Sequence, residues 1–236
     1  MGVSCIISGV INDMNLALYL QNVLYRMLFY APILVISITV HEYAHARTAQ
    51  ALGDPTAAQQ GRVSLNPLRH LDPVGSVLML LFGFGWGKPV PVAALNFKKP
   101  KRDMALVAVA GPVSNLLMAC LWGFLYGALA AVLPQNGYFA TLFTYGVYVN
   151  CSLFLFNLIP FAPLDGSRIL GAFLPNRIYY KLMQYERWFF ILLMVLTVVG
   201  AFTWLLNFLG QYVVAGINAT FVRLGQLLYS AIAGLF

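Results

Sequence analysis

The sequence is short of charge. Only 9% of its 236 residues are Asp, Glu, Lys or Arg, where soluble domains carry about a quarter. Acids are the scarcest: Asp13, Glu42, Asp54, Asp72, Asp103, Asp165 and Glu186 complete the set. So few solvating groups exclude a water-soluble globular domain. Cysteine is nearly absent, and Cys5, Cys120 and Cys151 show no paired spacing. That excludes a thiolate metal site and a disulfide framework; the three read as small apolar residues. Residues 1–26 show no basic stretch followed by a cleavage site, so no secretory leader is expected. Internal repeats and low-complexity tracts are missing too.

What the chain has is apolar length. Hydrophobic residues make up 61%, and mean hydropathy is +0.79. Stretches long enough to cross a bilayer recur, which sets the fold class as an all-α polytopic membrane protein. Residues 14–25 read as a short amphipathic helix or the start of the first span. Span one is expected over 27–50, span two over 104–133 up to Pro134, span three over 139–160 up to the "IPFAP" break, and span four over about 188–209. The tail, 211–236, is a fifth span or an interfacial helix, and Arg223 near its middle favours the latter. The expectation is four to five transmembrane helices in one domain over 1–236. Its core lies at about 27–170 and its C-terminal helices at 185–236, with no separate soluble domain. Between spans one and two, "VGSVLMLLFGFGWG" (74–87) is apolar but too short to cross and reads as a re-entrant or interfacial segment. The "KPVPVAALNF" that follows is rich in valine and proline, which suits an edge strand. Residues 161–187 read as a semipolar loop with one short helix.

Basic residues set the orientation. Arg62, Arg69, Lys88, Lys98, Lys99, Lys101 and Arg102 lie between spans one and two. Arg168, Arg177, Lys181 and Arg187 follow span three, and the turn 134–138 has none. Positive loops stay cytoplasmic, so spans one and three end on the same, cytoplasmic side. The net charge of +7 is accounted for by this topology and by contact with anionic lipid. No nucleic-acid partner is expected.

Against this background stands "ITVHEYAHARTA" (38–49), which puts two histidines and a glutamate inside a span. Ionisable groups at bilayer depth are costly and functional by default. On a helix, residues four apart share a face, so His41 and His45 can reach one ion. Glu42 lies on a neighbouring azimuth, within reach of a water there. H-E-x-x-H on a helix is the zinc-hydrolase pattern. The competing reading is two buried histidines bonded to backbone, with Glu42 paired to Arg47. A catalytic zinc wants a third protein ligand and one open position. Asp54, Asp72, His70 and Asp165 are the candidates. Asp54, in "LGDP", looks like a helix-end turn residue. Asp165 lies in "NLIPFAPLDGSR", where Pro160 and Pro163 stop span three as a regular helix, and the topology puts it on the side of His45. The plain alternative for "LDG" is an ordinary turn.

With "HEYAH" in span one, "AGPVSN" (110–115) in span two and "NLIPFAPLDG" (157–166) closing span three, the chain resembles the site-2 protease family of intramembrane zinc metalloproteases. The likeness covers most of 30–170, with the motifs in the family's order. "GRVSLNPLRHLDPVG" and "GWGKPVPV" look like its compact bacterial and archaeal branch. The resemblance implies one zinc ion per chain, ligated by His41, His45 and Asp165, with Glu42 as general base. It implies cleavage of membrane-protein substrates within or near their transmembrane segments, in a prokaryotic cell membrane, from a site toward the cytoplasm. It also implies that Asn157 holds substrate or the oxyanion, the alternative being span-to-span hydrogen bonding. His70, in "LNPLRHLD", reads as a transition-state donor, a competing metal ligand or a loop residue. Gly111 and Pro112 suit close packing or a kink, and Ser114 and Asn115 suit hydrogen bonds between spans. "GKPVPVAAL" (87–95) is a candidate edge for holding an unwound substrate by strand addition. The alternative functions are a transit site for metal ions or protons, built from His41, Glu42, His45 and Asp165, and an inactive adaptor that keeps the scaffold.

Overall fold

Helices carry most of the described chain, which is residues 16–82, 86–132 and 137–234 of a computed structural model. Helix α1 (Leu16–Tyr25) runs through a π-helical turn (Arg26–Tyr30) into α2 (Ala31–Ala51). The widened turn precedes Pro32, which has no N–H for the carbonyl of Leu28. The Tyr138 hydroxyl donates to that carbonyl instead, at 3.0 Å. Then come α3 (Thr56–Gln59), a 3₁₀ turn (Pro67–Arg69), α4 (Pro73–Phe82), a second 3₁₀ turn (Ala94–Asn96), α5 (Pro100–Leu129) and α6 (Tyr138–Asn157). The chain closes with α7 (Asp165–Phe173), α8 (Asn176–Met183), α9 (Glu186–Val198), α10 (Ala201–Ile217), a π-helical turn (Asn218–Val222) and α11 (Arg223–Ala233).

Four stretches are helical, long and apolar enough to cross a membrane: Val23–Ala51, Pro100–Leu129, Tyr138–Asn157 and Trp204–Ala233. The first three match the expected spans. Residues 133–136, with Pro134, lie outside the described residues, as do residues 14 and 15 of the expected amphipathic helix. The fourth span differs from expectation. The stretch 188–209 is not one helix, because α9 ends at Val198 and Gly200 turns the chain with φ +80°. Glycine adopts that left-handed conformation at little cost. The long helix instead takes in most of the tail and packs on α5. A methyl group added at Gly127 would overlap the Val222 backbone, and one at Gly225 would overlap the backbone of Phe124 and Ala128. Close approach of this kind is how helices associate in lipid, where burial from water no longer drives them together.

Helix α5 is the hub, touching α2, α6, α7 and α11. Ala119 on α5, Val147 and Cys151 on α6, and Val214 and Ile217 on α10 form one buried cluster. Ile33 and Leu34 of α2 pack on Val149 of α6 in another.

Between α2 and α5 the chain makes a loop out and back. Leu71 and Gly87 form an isolated antiparallel bridge, and the Lys88 N–H donates to the His70 carbonyl at 2.8 Å. The excursion 73–86, whose residues 83–85 lie outside the described set, therefore returns to its own start. No strand forms among the described residues, so the edge expected at 87–95 is an extended run only. Pro89 and Pro91 offer no N–H to a ladder. Asp54 holds the far end of the run: its buried carboxylate accepts from Ala93 N at 2.7 Å, Asn96 Nδ2 at 2.6 Å and Thr56 N at 3.1 Å. The loop 161–187 contains two short helices, α7 and α8, where one was expected.

Candidate metal centre

Helices α2, α5 and α7 build the centre. His41 and His45, one turn apart on α2, are buried against α5. Gly111 makes room for them: a methyl group there would lie 2.5 Å from His41 Cε1 and overlap the His45 ring. One residue on, Pro112 leaves the Ala108 carbonyl without its helical donor, beside the same rings. Asp165 is the first residue of α7. Helix α6 stops at Asn157, ahead of Pro160 and Pro163, and the next helix starts at the histidines. Gly166 permits this, since a methyl group there would lie 2.5 Å from the Leu158 carbonyl carbon.

The outer nitrogens of both rings are engaged. His41 Nδ1 donates to Asn115 Oδ1 at 2.6 Å, and His45 Nδ1 donates to the Val107 carbonyl at 2.7 Å. Asn115 presents its oxygen because its amide nitrogen faces Asn150 Oδ1 at 3.2 Å and the Ser37 carbonyl at 3.5 Å. Asn150 in turn donates to the Gly146 carbonyl at 2.8 Å. With Nδ1 protonated, each neutral imidazole turns a lone pair inward at Nε2. The two Nε2 atoms are 2.9 Å apart, and Asp165 Oδ2 lies 3.3 Å from His41 and 3.2 Å from His45. Asp165 Oδ2 is buried with no hydrogen-bond donor. Three acceptors converging without a proton between them repel one another unless a cation sits among them. The two histidine–aspartate separations match the roughly 3.3 Å between tetrahedral zinc ligands at about 2.0–2.1 Å from the ion, and the Nε2 pair stands closer. Among the described residues this is the one His, Cys, Asp and Glu group able to hold a metal.

The other candidates go elsewhere. Asp54 clamps the loop, as a helix-end turn residue should. Asp72 Oδ1 accepts from Gly75 N at 2.8 Å at the start of α4. His70 is fully buried in its loop, with Nε2 2.7 Å from the Ser64 carbonyl. The pairing of Glu42 with Arg47 does not form: Arg47 donates to Gln50 at 3.0 Å, and Glu42 Oε2 accepts the Val90 N–H at 2.9 Å. A cavity of about 140 Å³ opens on the centre, lined by His41, Glu42, His45, Asn157, Asp165 and Arg168. Its apolar wall includes Pro89, Val90 and Val92 of the extended run. Asn157 uses its amide to bond the Leu153 carbonyl at 3.0 Å.

In the sequence Asn115 stands out only as an inter-span residue, while Asn150, the Val107 carbonyl and the Val90 N–H go unmarked by any motif. The two asparagines did leave a signal, since an amide in an apolar span needs a buried partner.

A model of peptidase family M50 matches residues 128–201, which include Asp165. "Putative zinc metalloprotease YwhC" of Bacillus subtilis is 45% identical over 170 residues, 70% of this chain and 78% of that protein. "Putative zinc metalloprotease Rip2" of Mycolicibacterium smegmatis is 30% identical over 173 residues, 71% of this chain and 65% of the relative. Its namesake in Mycobacterium tuberculosis is 29% identical over 170 residues, 69% of this chain and 63% of the relative. No solved structure matches the chain.

Proposed function

The chain belongs to peptidase family M50, the site-2 protease family, as a zinc metalloendopeptidase, and from that footing we propose that it cuts membrane proteins within or beside their transmembrane segments. One observation carries the proposal: the His41, His45 and Asp165 cluster opens with Glu42 onto one cavity, among helices long enough to span a bilayer. His41 stands ten residues before the end of α2 at Ala51, roughly 15 Å at helical rise. With the basic loops on the cytoplasmic side of a prokaryotic membrane, the centre opens toward the cytoplasm below the lipid surface.

On this reading His41, His45 and Asp165 are the ligands of one zinc ion per chain. The chemistry zinc supplies in such a set is Lewis acidity toward a carbonyl and a lowered pKa for water, from 15.7 toward about 7. Glu42 is the general base, taking the proton of the attacking water and delivering it to the leaving amine. Asn157, whose amide has a second hydrogen beyond the one on Leu153, is the candidate donor to the substrate carbonyl. His70, buried with Nε2 on the Ser64 carbonyl, serves the loop on this reading. A helix ties up its carbonyls in its own i→i+4 hydrogen bonds. The substrate must therefore arrive unwound, its carbonyls released from their own helix.

The test is cleavage of a transmembrane substrate by the purified protein in bilayers, with Glu42→Gln as control. Loss of cleavage with zinc still bound supports the proposal; cleavage by Glu42→Gln at the wild-type rate refutes it. Zinc flux without cleavage would favour the transit site.

A further inference from the structure

Arg62 has no part in the reading above, and its setting is unusual for a cation. It is 4% exposed, yet none of the ion pairs among the described residues includes it. Its guanidinium donates to two main-chain carbonyls, those of Pro89 at 3.2 Å and Lys88. A buried charge is costly unless something holds it in place, so what Arg62 grips matters. Those carbonyls belong to the extended run beside the cavity, whose donors are nearly all spoken for. Lys88 N–H goes to the His70 carbonyl at 2.8 Å, Val90 N–H to Glu42 Oε2 at 2.9 Å, and Ala93 N–H to Asp54 at 2.7 Å. Pro89 and Pro91 have no N–H and a fixed φ, so the Val90 donor is isolated between stiff neighbours. Burial draws the Arg62 guanidinium below its ordinary value while the Glu42 charge opposes that shift.

We infer that Arg62 is a positioning residue for Glu42: by gripping the Lys88 and Pro89 carbonyls it aims the Val90 N–H at one carboxylate oxygen and leaves the other to the cavity. The "GRVS" and "KPVPV" stretches are then two halves of one device that fixes the general base. The inference rests on the protease reading for Glu42.

The experiment compares wild type, Arg62→Lys, Arg62→Ala and Val90→Pro as full-length protein in bilayers. It measures kcat and KM on a transmembrane substrate, zinc per chain, and amide-exchange protection at 88–93. Arg62→Ala is expected to lower kcat by about 10- to 100-fold, the scale of a misplaced catalytic group, with KM and zinc content unchanged and Val90 deprotected. Arg62→Lys recovers part of the loss. Val90→Pro deletes the donor but leaves the gripped carbonyls, and it reproduces the kcat loss even if Arg62→Ala fails to fold. Wild-type kcat in Val90→Pro overturns the inference, as does an effect confined to KM or a parallel loss of zinc. If wild type itself does not cleave, the protease reading fails, and Val90 protection still decides the positioning: protection unaffected by Arg62→Ala and by Glu42→Ala overturns it.

Discussion

Asn115 fixes which nitrogen His41 offers to a metal. An outer partner that fixes tautomer and ring angle is typically worth about 10- to 100-fold in metal affinity. Asn115→Leu is therefore expected to weaken zinc binding by about that factor, read by competition with a chelator, while Ser114→Ala leaves it unchanged because Ser114 bonds only the Gly111 carbonyl of its own helix. The zinc-hydrolase spacing made His41, Glu42 and His45 legible in the sequence, since four residues on a helix define a face wherever the helix goes. The partners were not legible. The His41–Asn115 bond joins residues 74 apart in sequence, and no local pattern encodes which amide meets which ring. Asp165 stood between these cases: two prolines marked the break in its span, and the basic loops put it at the same end as His45, which it meets at 3.2 Å.

At the scale of elements, the extended run 88–93 is held at both ends, by Arg62 at one and Asp54 at the other. Burial alone would raise the Asp54 carboxyl, but hydrogen bonds from Thr56, Asn96 and Ala93 outweigh it and hold the group below its ordinary value. The folded value thus lies under the unfolded one, near 3.9. The clamp is at full strength above about pH 4 and weakens as pH falls through the folded value. Protection of the Ala93 amide from exchange is expected to hold from pH 7 to 5 and drop in stronger acid. In Asp54→Asn it is expected to be low throughout, with a stability loss of about 1.5–3 kcal/mol for a charged hydrogen-bond hub. Composition suggested a strand here because valine favours extended backbone. It could not show that side chains of Arg62, Glu42 and Asp54 would take the groups a neighbouring strand would use.

Across the whole molecule, α5 receives α2 on one side and the C-terminal helix on another, so the tail is part of the packed bundle. Gly127→Leu is expected to force the tail from α5 and to cost about 1–3 kcal/mol or more, measured by thermal unfolding in detergent. Gly216→Leu, at a position with open space, is expected to leave the melting temperature unchanged. Hydropathy located the first three spans because polar loops separate them. It misplaced the fourth because apolar residues run on through Gly200, where one left-handed turn decides the boundary. The amides behind His41 carry a last consequence. From His41 through Asn115 and Asn150 to the Gly146 carbonyl, the support is made of groups that neither gain nor lose protons near neutrality. A carboxylate in their place would anchor the ring equally well but would add a group able to take up and release protons behind it. The ring is therefore held without adding a titratable group to the Glu42 and Asp165 already at the site.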